Sequence, residues 1–265
     1  MDKNNTLTVP MAIVVAGLLI AGAVFLSGKG SSAPIANGND NQAAVALSRD
    51  MNIKPASAGE HLRGNPDAPI ILVEYSDTEC PFCKRFHATL GEMMNEYGKN
   101  GKVAWAYRHF PLDQIHSKAR KEAEATECAA SLGGNDKFWQ YLDRLYEITP
   151  ANNGLDLAEL PKIATQTGLN SSEFKTCLDS GRFAGKVEEN YQDGVTGGVR
   201  GTPGNFVISK TAISEETQNK VLALASQYPP ETVVWSNDGK IVFLNGALPY
   251  SFIKGALDLM LAEAK

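Results

Sequence analysis

The 265-residue sequence has few cysteines and little excess charge of either sign. Its four cysteines fall far below the roughly 8–10% of residues typical of a disulfide-dense scaffold. The fold must therefore rest on a hydrophobic core, and 43% of the residues are hydrophobic. The net charge of −5 comes from 25 basic and 30 acidic residues. Because a domain that grips a nucleic-acid backbone is basic, nucleic acid is not expected as a partner.

An uninterrupted apolar or small-residue run occurs at residues 11–26, close to the N-terminus. Together with residues 8–10 it approaches the ~17–20 residues needed to cross a bilayer. We predict an uncleaved signal anchor over residues 1–29, with a transmembrane helix; a cleaved signal peptide ending near residues 31–33 is the alternative. Either interpretation places the rest of the chain outside the cytoplasm, at the cell membrane for the anchored form, where disulfides persist.

Residues 30–60 are rich in Ser, Ala, Asn and Gly and predict a flexible tether. The remaining residues, 61–265, are enough for one α/β domain. A continuous apolar run at residues 69–76 predicts a buried strand. The later elements alternate between helix and strand: a helix to residue 97, a strand at 102–110, a helical block at about 112–199, strands near 205–209, 232–235 and 240–245, and a closing helix at 250–264.

Cys80 and Cys83 form a Cys-Pro-Phe-Cys sequence between the first predicted strand and the helix that follows it. The first turn of a helix has unpaired N–H groups and the positive end of the macrodipole, and both favour an anion. We therefore expect Cys80 to have a lowered pKa and to be a nucleophilic thiolate. Cys83 lies on the same helix face, so the two thiols can form a disulfide and exchange it with another thiol.

Other roles for Cys80 and Cys83 remain open from the residues alone. A Cys-x-x-Cys pair can supply half of a structural zinc site, but the site needs four Cys or His ligands, and Cys128 and Cys177 stand isolated on later predicted helices. Two thiols can also carry Cu(I), or they can form a merely structural disulfide. We expect redox exchange, with no metal and no cofactor.

Three segments together resemble the DsbA-type thiol-disulfide oxidoreductases. They are residues 74–83 (EYSDTECPFC), 107–111 (YRHFP) and 201–203 (GTP). The resemblance implies a thioredoxin fold with a helical insertion at about 112–199, preceded here by the N-terminal transmembrane anchor. It also implies that Cys80 is the exposed nucleophile and Cys83 its buried partner.

The resemblance assigns roles to further residues. In this family a cis-proline loop faces the active-site disulfide, and Thr202 and Pro203 occupy that place. Glu74 stands where such proteins often hold a buried acid, which would exchange protons with Cys83 through water; a carboxylate at the solvated end of the strand is the alternative. Glu79 and His109 are further candidates to alter the field at the thiolate, with a surface or structural role as the alternative.

Cys128 and Cys177 lie on inward faces of two predicted helices. In an exported domain such a pair suggests a structural disulfide, with two free buried thiols as the alternative. Four cysteines allow three connectivities, and the pairing of 80 with 83 and 128 with 177 is the one consistent with the motif.

Two features depart from the family pattern. Gly204 and Asn205 follow Pro203, where a bulkier apolar strand entry is usual. An extra segment at about 210–238 separates the last two strands, with a predicted helix over 215–228. It can be a partner surface, a cover over a sheet edge, or a neutral insertion.

The resemblance implies a monomeric oxidase that donates the Cys80–Cys83 disulfide to reduced exported proteins. A membrane quinone-linked thiol oxidase would then recycle it. A reductase or isomerase is the alternative, although an isomerase usually needs a second domain, for which the tether has no room. A non-enzymatic Cu(I)-binding module is the remaining alternative.

Overall fold

The structure is a computed structural model that describes residues 48–57 and 59–264. The predicted signal anchor and the first part of the predicted tether lie outside the described residues. None of the helices within the described ranges is both long and apolar enough to cross a bilayer. The strands in these ranges are β1 (Ser48–Arg49), β2 (His61–Arg63), β3 (Ile70–Ser76), β4 (Val103–His109), β5 (Gly204–Ser209), β6 (Val233–Ser236) and β7 (Ile241–Asn245). The α-helices are α1 (Pro81–Met93), α2 (Ala119–Ile148), α3 (Leu160–Gln166), α4 (Ser171–Asp179), α5 (Ala184–Thr196), α6 (Glu215–Leu224) and α7 (Tyr250–Leu261).

One mixed sheet organises the domain, with strand order β1-β6-β7-β5-β3-β4-β2. β3 is an interior strand of this sheet, parallel to β4 and antiparallel to β5. Its apolar, β-branched sequence suits this position because both of its faces are covered, and Ile70, Leu72 and Val73 have no exposed surface. The carboxyl end of β3 leads directly to Cys80, so a largely buried interior strand positions the thiols. The predicted α/β class is confirmed.

The helical insertion lies between β4 and β5 and comprises α2 to α5. α2 is interrupted at Gly133 and Gly134, whose backbone angles are not helical (φ −147° and +77°). This is the break that the two adjacent glycines predict. The insertion has its own apolar core, and within it Cys128 on α2 and Cys177 on α4 form a disulfide with a Cα–Cα distance of 5.9 Å.

The end of the predicted tether is packed on the domain, so the domain begins before residue 61. β1 pairs in parallel with β6, with Arg49 opposite Ser236. Farther along, the backbone N–H of Lys54 donates to Asp193 Oδ1 on α5 at 2.9 Å. β6 would otherwise be an edge strand with unpaired backbone groups, which a neighbouring extended segment satisfies. The flexible tether predicted over 30–60 is therefore wrong over residues 48–57.

The extra segment at 210–238 is an integral part of the sheet and of its covering layer. It contains α6 and β6, of which α6 is shorter than the predicted helix over 215–228. Glu263, just beyond α7, accepts hydrogen bonds from Ser214 and Thr217 at the start of α6. β6 pairs with β7 and carries β1 on its other side. The segment therefore covers the edge that β7 would otherwise expose, which is one of the three interpretations of it.

Candidate active site

Cys80 lies at the N-terminal boundary of α1. Its backbone is extended (φ −78°, ψ 122°), and Pro81 occupies the start of the helix. Proline suits this position because its missing N–H would have no partner within the helix. The helix N-terminus carries no acidic side chain in its first turn and no side-chain cap, so its N–H groups remain available to the sulfur of Cys80.

The environment of Cys80 stabilises its thiolate and lowers the pKa to about 6. The largest cause is a hydrogen bond from the Cys83 thiol. The hydroxyl of Thr202 and the backbone N–H groups of Cys83 and Phe82 act in the same direction, against the opposing effect of burial. The helix N-terminus, which the sequence predicts as the cause, is therefore present. The side chains of Cys83 and Thr202 lower the pKa of Cys80 further.

Cys83, in contrast, is stabilised as a protonated thiol. It has no exposed surface, and burial raises its pKa well above the ordinary range, assisted by the negative charges of Cys80 and Glu74. The backbone N–H of Asp77 lies 3.5 Å from Cys83 Sγ. The two thiols thus differ as an exchange reaction requires, with Cys80 ionised and Cys83 protonated near neutral pH.

The loop that faces Cys80 contains a cis Thr202–Pro203 peptide bond. In the thiol form, the Cys80 S–H donates to the carbonyl oxygen of Thr202 at 3.5 Å. Behind the loop, the backbone N–H of Gly246 donates to the carbonyl oxygen of Pro203 at 2.9 Å. The Thr202 hydroxyl is buried and has no hydrogen-bond partner among the described residues, and the Thr202 side chain lowers the pKa of Cys80.

Gly204 and Asn205, the departures from the family pattern, shape the entry to β5. A Cβ on Gly204 would lie 2.9 Å from a methyl group of Val199, so the glycine allows the preceding loop to fold back closely. The amide nitrogen of Asn205 donates to the carbonyl oxygens of Leu244 and Gly246, at 3.2 and 3.4 Å. These two residues fix the cis-proline loop against β7.

Glu74 lies in the middle of the sheet, opposite Tyr107 on one side and Asn205 on the other. The alternative of a carboxylate at the solvated end of the strand is wrong, because Glu74 has no exposed surface. Ser76 Oγ donates to Glu74 Oε1 at 2.8 Å, and Trp105 Nε1 donates to Glu74 Oε2 at 3.1 Å. Burial nevertheless raises the pKa of Glu74 to about 8, so the carboxyl is mostly protonated at neutral pH.

Sequence reasoning missed Ser76 and Tyr146, which form a hydrogen-bonded group with Glu74. Ser76 Oγ and the Tyr146 hydroxyl are 2.9 Å apart, and the Ser76 side chain partly offsets the raised pKa of Cys83. The available signal was a second polar residue, after Glu74, at the end of a mainly apolar strand. Tyr146 was hidden because its helical spacing with Leu142 and Leu145 is that of an apolar face.

Glu79 and His109 take structural positions. The Glu79 carboxylate accepts the backbone N–H of Asn153 in a turn of three consecutive left-handed residues, Ala151 to Asn153. His109 lies in a separate buried cluster, where its Nε2 is 3.1 Å from Glu127 Oε1. Neither residue is among the groups that lower the pKa of Cys80, so both fit the structural alternative.

The site has the parts of a thiol-disulfide exchange centre: a stabilised thiolate, a buried second thiol, a buried acid and a facing cis-proline loop. Within residues 48–57 and 59–264, no group of three or more His, Cys, Asp or Glu side chains is arranged as a metal site. A match to the family described as Thioredoxin covers residues 56–224, well over half of the chain. The chain belongs to the thioredoxin family.

Solved structures of DsbA-type proteins share the fold. The structure of DsbA2 from Pseudomonas aeruginosa is 22% identical and matches 79% of this chain and 98% of its own, with a TM-score of 0.56. The structure of oxidised BdbD from Bacillus subtilis is 20% identical and matches 82% of this chain and 98% of its own, with a TM-score of 0.60. The structure of α-DsbA1 from Wolbachia pipientis is 20% identical, matching 79% and 94% with a TM-score of 0.60. The predicted DsbA-type thioredoxin fold is confirmed.

The curated relatives that this chain matches are longer proteins, and they are named as Na(+)/H(+) antiporters. One is Na(+)/H(+) antiporter NhaA 1 of Mycolicibacterium gilvum, 32% identical over 153 residues, which are 57% of this chain and 24% of the relative. Another is NhaA 3 of Salinispora tropica, 33% identical over 152 residues, or 56% of this chain and 21% of the relative. The chain therefore matches about a quarter or less of the length of these relatives.

Proposed function

We propose that this chain is a membrane-tethered, extracytoplasmic thiol-disulfide oxidase that donates the Cys80–Cys83 disulfide to folding exported proteins. A substrate thiolate attacks Cys80 Sγ, the bond between Cys80 and Cys83 breaks, and a mixed disulfide forms. A second substrate thiolate then attacks the substrate sulfur of that bond and releases Cys80 as a thiolate. The substrate leaves with a disulfide, and the chain is left reduced.

The stabilised Cys80 thiolate is the observation that carries the oxidase direction. Each interaction that lowers the pKa of Cys80 to about 6 also stabilises the reduced form of the pair. A disulfide whose reduced form is stabilised is a stronger oxidant, and a thiolate of low pKa is a better leaving group in the release step. Both effects favour transfer of the disulfide from this chain to its substrate.

Features outside the thiol pair support the substrate class and the compartment. Phe82, between the two cysteines, is 53% exposed, so an apolar side chain lies beside the nucleophile where an unfolded polypeptide would dock. The Cys128–Cys177 disulfide is of a kind that persists outside the reducing cytoplasm. The apolar run at 11–26 supplies the proposed anchor, and reoxidation of the reduced pair is assigned to a membrane quinone-linked thiol oxidase. The chain acts as a monomer in this proposal.

The alternative functions differ in the fate of the thiol pair. A reductase or isomerase would keep Cys80 and Cys83 reduced in its resting state, and a Cu(I) carrier would bind the metal between the two thiols without exchanging with substrate thiols. Antiport of Na⁺ and H⁺, the activity in the name of the curated relatives, is not proposed for this chain, since it matches about a quarter or less of their length.

A redox equilibrium of the domain with glutathione, followed by oxidative folding of a reduced test protein, separates these functions. An oxidase has a reduction potential above that of the glutathione couple, and its disulfide form folds the reduced protein stoichiometrically. A potential well below glutathione would overturn the oxidase proposal in favour of a reductase. Rescue of a scrambled protein without net oxidation would favour an isomerase. Tight Cu(I) binding without exchange would favour the carrier.

A further inference from the structure

Residues 49–53, which we term the strap, lie against the end of α5, next to the segment that leads into the cis-proline loop. The odd-numbered residues of the strap are half-buried and the even-numbered residues are exposed. This alternation is typical of an extended segment with one face on the protein. Met51 and Ile53 pack against the apolar core that contains Phe206, on the strand that follows the cis-proline loop. One face of the strap is therefore bound to the domain beside this loop.

The strap packs on two consecutive glycines, Gly197 and Gly198, which follow α5. Gly198 has a φ of +83°, in the left-handed region that favours glycine. A Cβ on Gly197 would clash with Ile53 Cγ2, and a Cβ on Gly198 would lie 2.8 Å from Arg49 Nη1. Each glycine therefore leaves a space that one side chain of the strap fills.

Arg49 supplies a cation at the carboxyl end of α5, whose own last turn has no basic residue. The last carbonyl groups of a helix have no partner within it and carry the negative end of the macrodipole. Arg49 Nη2 donates to the carbonyl oxygen of Gly197 at 3.5 Å. The guanidinium carbon lies 5.0 Å from the centre of the Phe243 ring, and that ring is 4.8 Å from the ring of Phe206. Arg49 thus connects the end of α5 to β7 and β5.

The chain runs directly from the glycine pair into the cis-proline loop. Val199 is buried, and its backbone N–H donates to the carbonyl oxygen of Gly194 at 2.9 Å. A methyl group of Val199 would lie 2.9 Å from a Cβ on Gly204, so the residues on either side of the loop are in close contact. Between them, the carbonyl oxygen of Thr202 lies 3.5 Å from Cys80 Sγ. The position of the glycine pair therefore affects the position of the loop opposite the nucleophile.

We propose that Arg49 and Ile53 position the cis-proline loop for disulfide exchange with a polypeptide, by holding the glycine pair from outside the active site. This inference rests on the proposed exchange function. A polypeptide sulfur bonded to Cys80 brings its own backbone beside Thr202, whereas a small dithiol reaches the sulfur without using the loop. Arg49 and Ile53 contact neither the substrate nor the sulfurs, so both are positioning residues.

The test compares two reduced substrates of the full-length protein in its disulfide form: a peptide with two cysteines, and dithiothreitol. In Arg49→Met the second-order rate constant for the peptide should fall at least about fivefold, and that for dithiothreitol should change by less than about twofold, because a displaced loop slows only the reaction that uses it. Arg49→Lys keeps a cation at the end of α5 and should recover most of the ratio of the two rate constants.

Asp50→Ala is the matched control within the strap. Asp50 Oδ1 accepts a hydrogen bond from Asn237 Nδ2 at 2.6 Å, in the turn between β6 and β7. This turn is at the opposite end of β7 from Asn245, which pairs with Gly204. The control therefore removes a contact of the strap without touching the glycine pair, and it should keep the wild-type ratio of rate constants.

Gly197→Ala displaces the strap by a second route and carries the test if Arg49→Met does not fold. Gly197 has a φ of −68°, which alanine adopts without strain, but the new methyl group would clash with Ile53 Cγ2. The ratio of rate constants should fall as in Arg49→Met. Adding Ile53→Ala removes the clashing atom, so the double variant should recover most of the ratio.

Three outcomes would overturn the positioning role while leaving the exchange function intact. They are equal slowing with the peptide and with dithiothreitol, a wild-type ratio in folded Arg49→Met or Gly197→Ala, and no recovery in the double variant of Gly197→Ala with Ile53→Ala. A wild-type protein that oxidises neither the peptide nor dithiothreitol would instead overturn the proposed function.

Discussion

The thiol of Cys80 lies 3.5 Å from the carbonyl oxygen of Thr202, across the gap between the start of α1 and the cis-proline loop. The same threonine provides a hydroxyl that stabilises the Cys80 thiolate. One loop residue therefore acts on the nucleophile in two ways: its carbonyl oxygen accepts the thiol hydrogen bond, and its side chain lowers the pKa of the thiol. In the proposed exchange, a substrate sulfur bonded to Cys80 lies beside this loop, so Thr202 links the reactivity of the thiol to the proposed substrate-facing surface.

Replacing Thr202 should change the acidity of Cys80 while leaving the fold intact. In Thr202→Val the hydroxyl is lost at nearly constant volume, so the pKa of Cys80 should rise by about one unit, the size of a hydrogen bond to a charged group. Thr202→Ser keeps the hydroxyl and is the matched control. Absorbance of the thiolate at 240 nm against pH measures both, and an unshifted titration in Thr202→Val would remove the assigned role of this hydroxyl.

Replacing each cysteine with serine should give a different defect in disulfide exchange. Cys80→Ser should abolish disulfide exchange, because no nucleophilic sulfur faces the substrate. Cys83→Ser should trap mixed disulfides through Cys80, because the second thiol that would displace the substrate is absent. Non-reducing electrophoresis with mass spectrometry of captured species checks both. Retained exchange in Cys80→Ser, or capture through a cysteine other than Cys80, would contradict the assignment.

Much of the fold could be predicted because it depends on local sequence patterns. The apolar run before Cys80, the glycine pair at 133–134 and the proline after Cys80 act through burial, backbone freedom and helix capping, all of which are local effects. The motif segments then gave the order of the elements. The thiol pair, the cis-proline loop and Glu74 lie at one site because β3 carries Glu74 and leads into Cys80, while its antiparallel neighbour β5 follows Pro203.

The parts that could not be predicted depend on contacts between distant segments. β1 has two residues, too few to show any periodicity, and it exists only because β6 offers an unpaired edge. Arg108 looked like an ordinary strand residue, yet it reaches Glu60, Asp193 and the Tyr75 hydroxyl. Tyr146 belongs to the site through its hydroxyl, whereas its ring has the spacing of a core residue. Each of these roles follows from tertiary proximity.

The reduced protein should gain stability relative to the disulfide form as pH rises from about 6 to about 8. The pKa of Cys80 is lowered to about 6 in the folded state, against about 8.5 in an unfolded chain. In this window the unfolded chain keeps the Cys80 proton that the folded reduced chain has lost, so the contribution of Cys80 to the free energy of unfolding rises with pH. Glu74, whose raised pKa contributes in the opposite direction, is present in both the reduced and the disulfide forms and is removed by comparing them. The gain is present above the ordinary thiol pKa and is lost as pH falls through about 6.

Urea unfolding of the reduced and the disulfide forms at pH 5, 6, 7 and 8 measures this difference. Cys83 stays protonated in both the folded and the unfolded states below about pH 8, so it does not contribute in the window. The reduced Cys80→Ser variant, which cannot form the disulfide, is the control, and the stability of the reduced wild-type protein relative to this variant should rise with pH over the same window. A stability difference that fell with rising pH would contradict the assigned charge state of Cys80.

The Cys128–Cys177 disulfide should stabilise the protein without taking part in exchange. It closes a loop with a sequence separation of 49 residues, which gives about 4 kcal/mol in the chain-entropy model. The double variant Cys128→Ala and Cys177→Ala should therefore lose about 2–5 kcal/mol in free energy of unfolding. Its Cys80 pKa should be unchanged. Peptide mapping of the non-reduced wild-type protein that found free thiols at both positions would refute the bridge.

Arg108 should contribute more to the free energy of unfolding than charged side chains usually do. It is 1% exposed and pairs with Asp193 at 2.8 Å and Glu60 at 2.6 Å. Arg108→Met leaves these carboxylates without their cation and should cost about 3–5 kcal/mol. Arg144→Met is the control: Arg144 pairs with Glu147 on the surface, and its loss should cost less than about 1 kcal/mol. Equal effects by thermal unfolding would contradict the buried network.

The most direct test of the central claim is a pH titration of the Cys80 thiol in the reduced wild-type protein, followed by thiolate absorbance or by the rate of alkylation. The structure predicts a single low transition near pH 6, with Cys83 ionising only far above the ordinary thiol range. A Cys80 transition near 8.5, the ordinary value, would contradict the account.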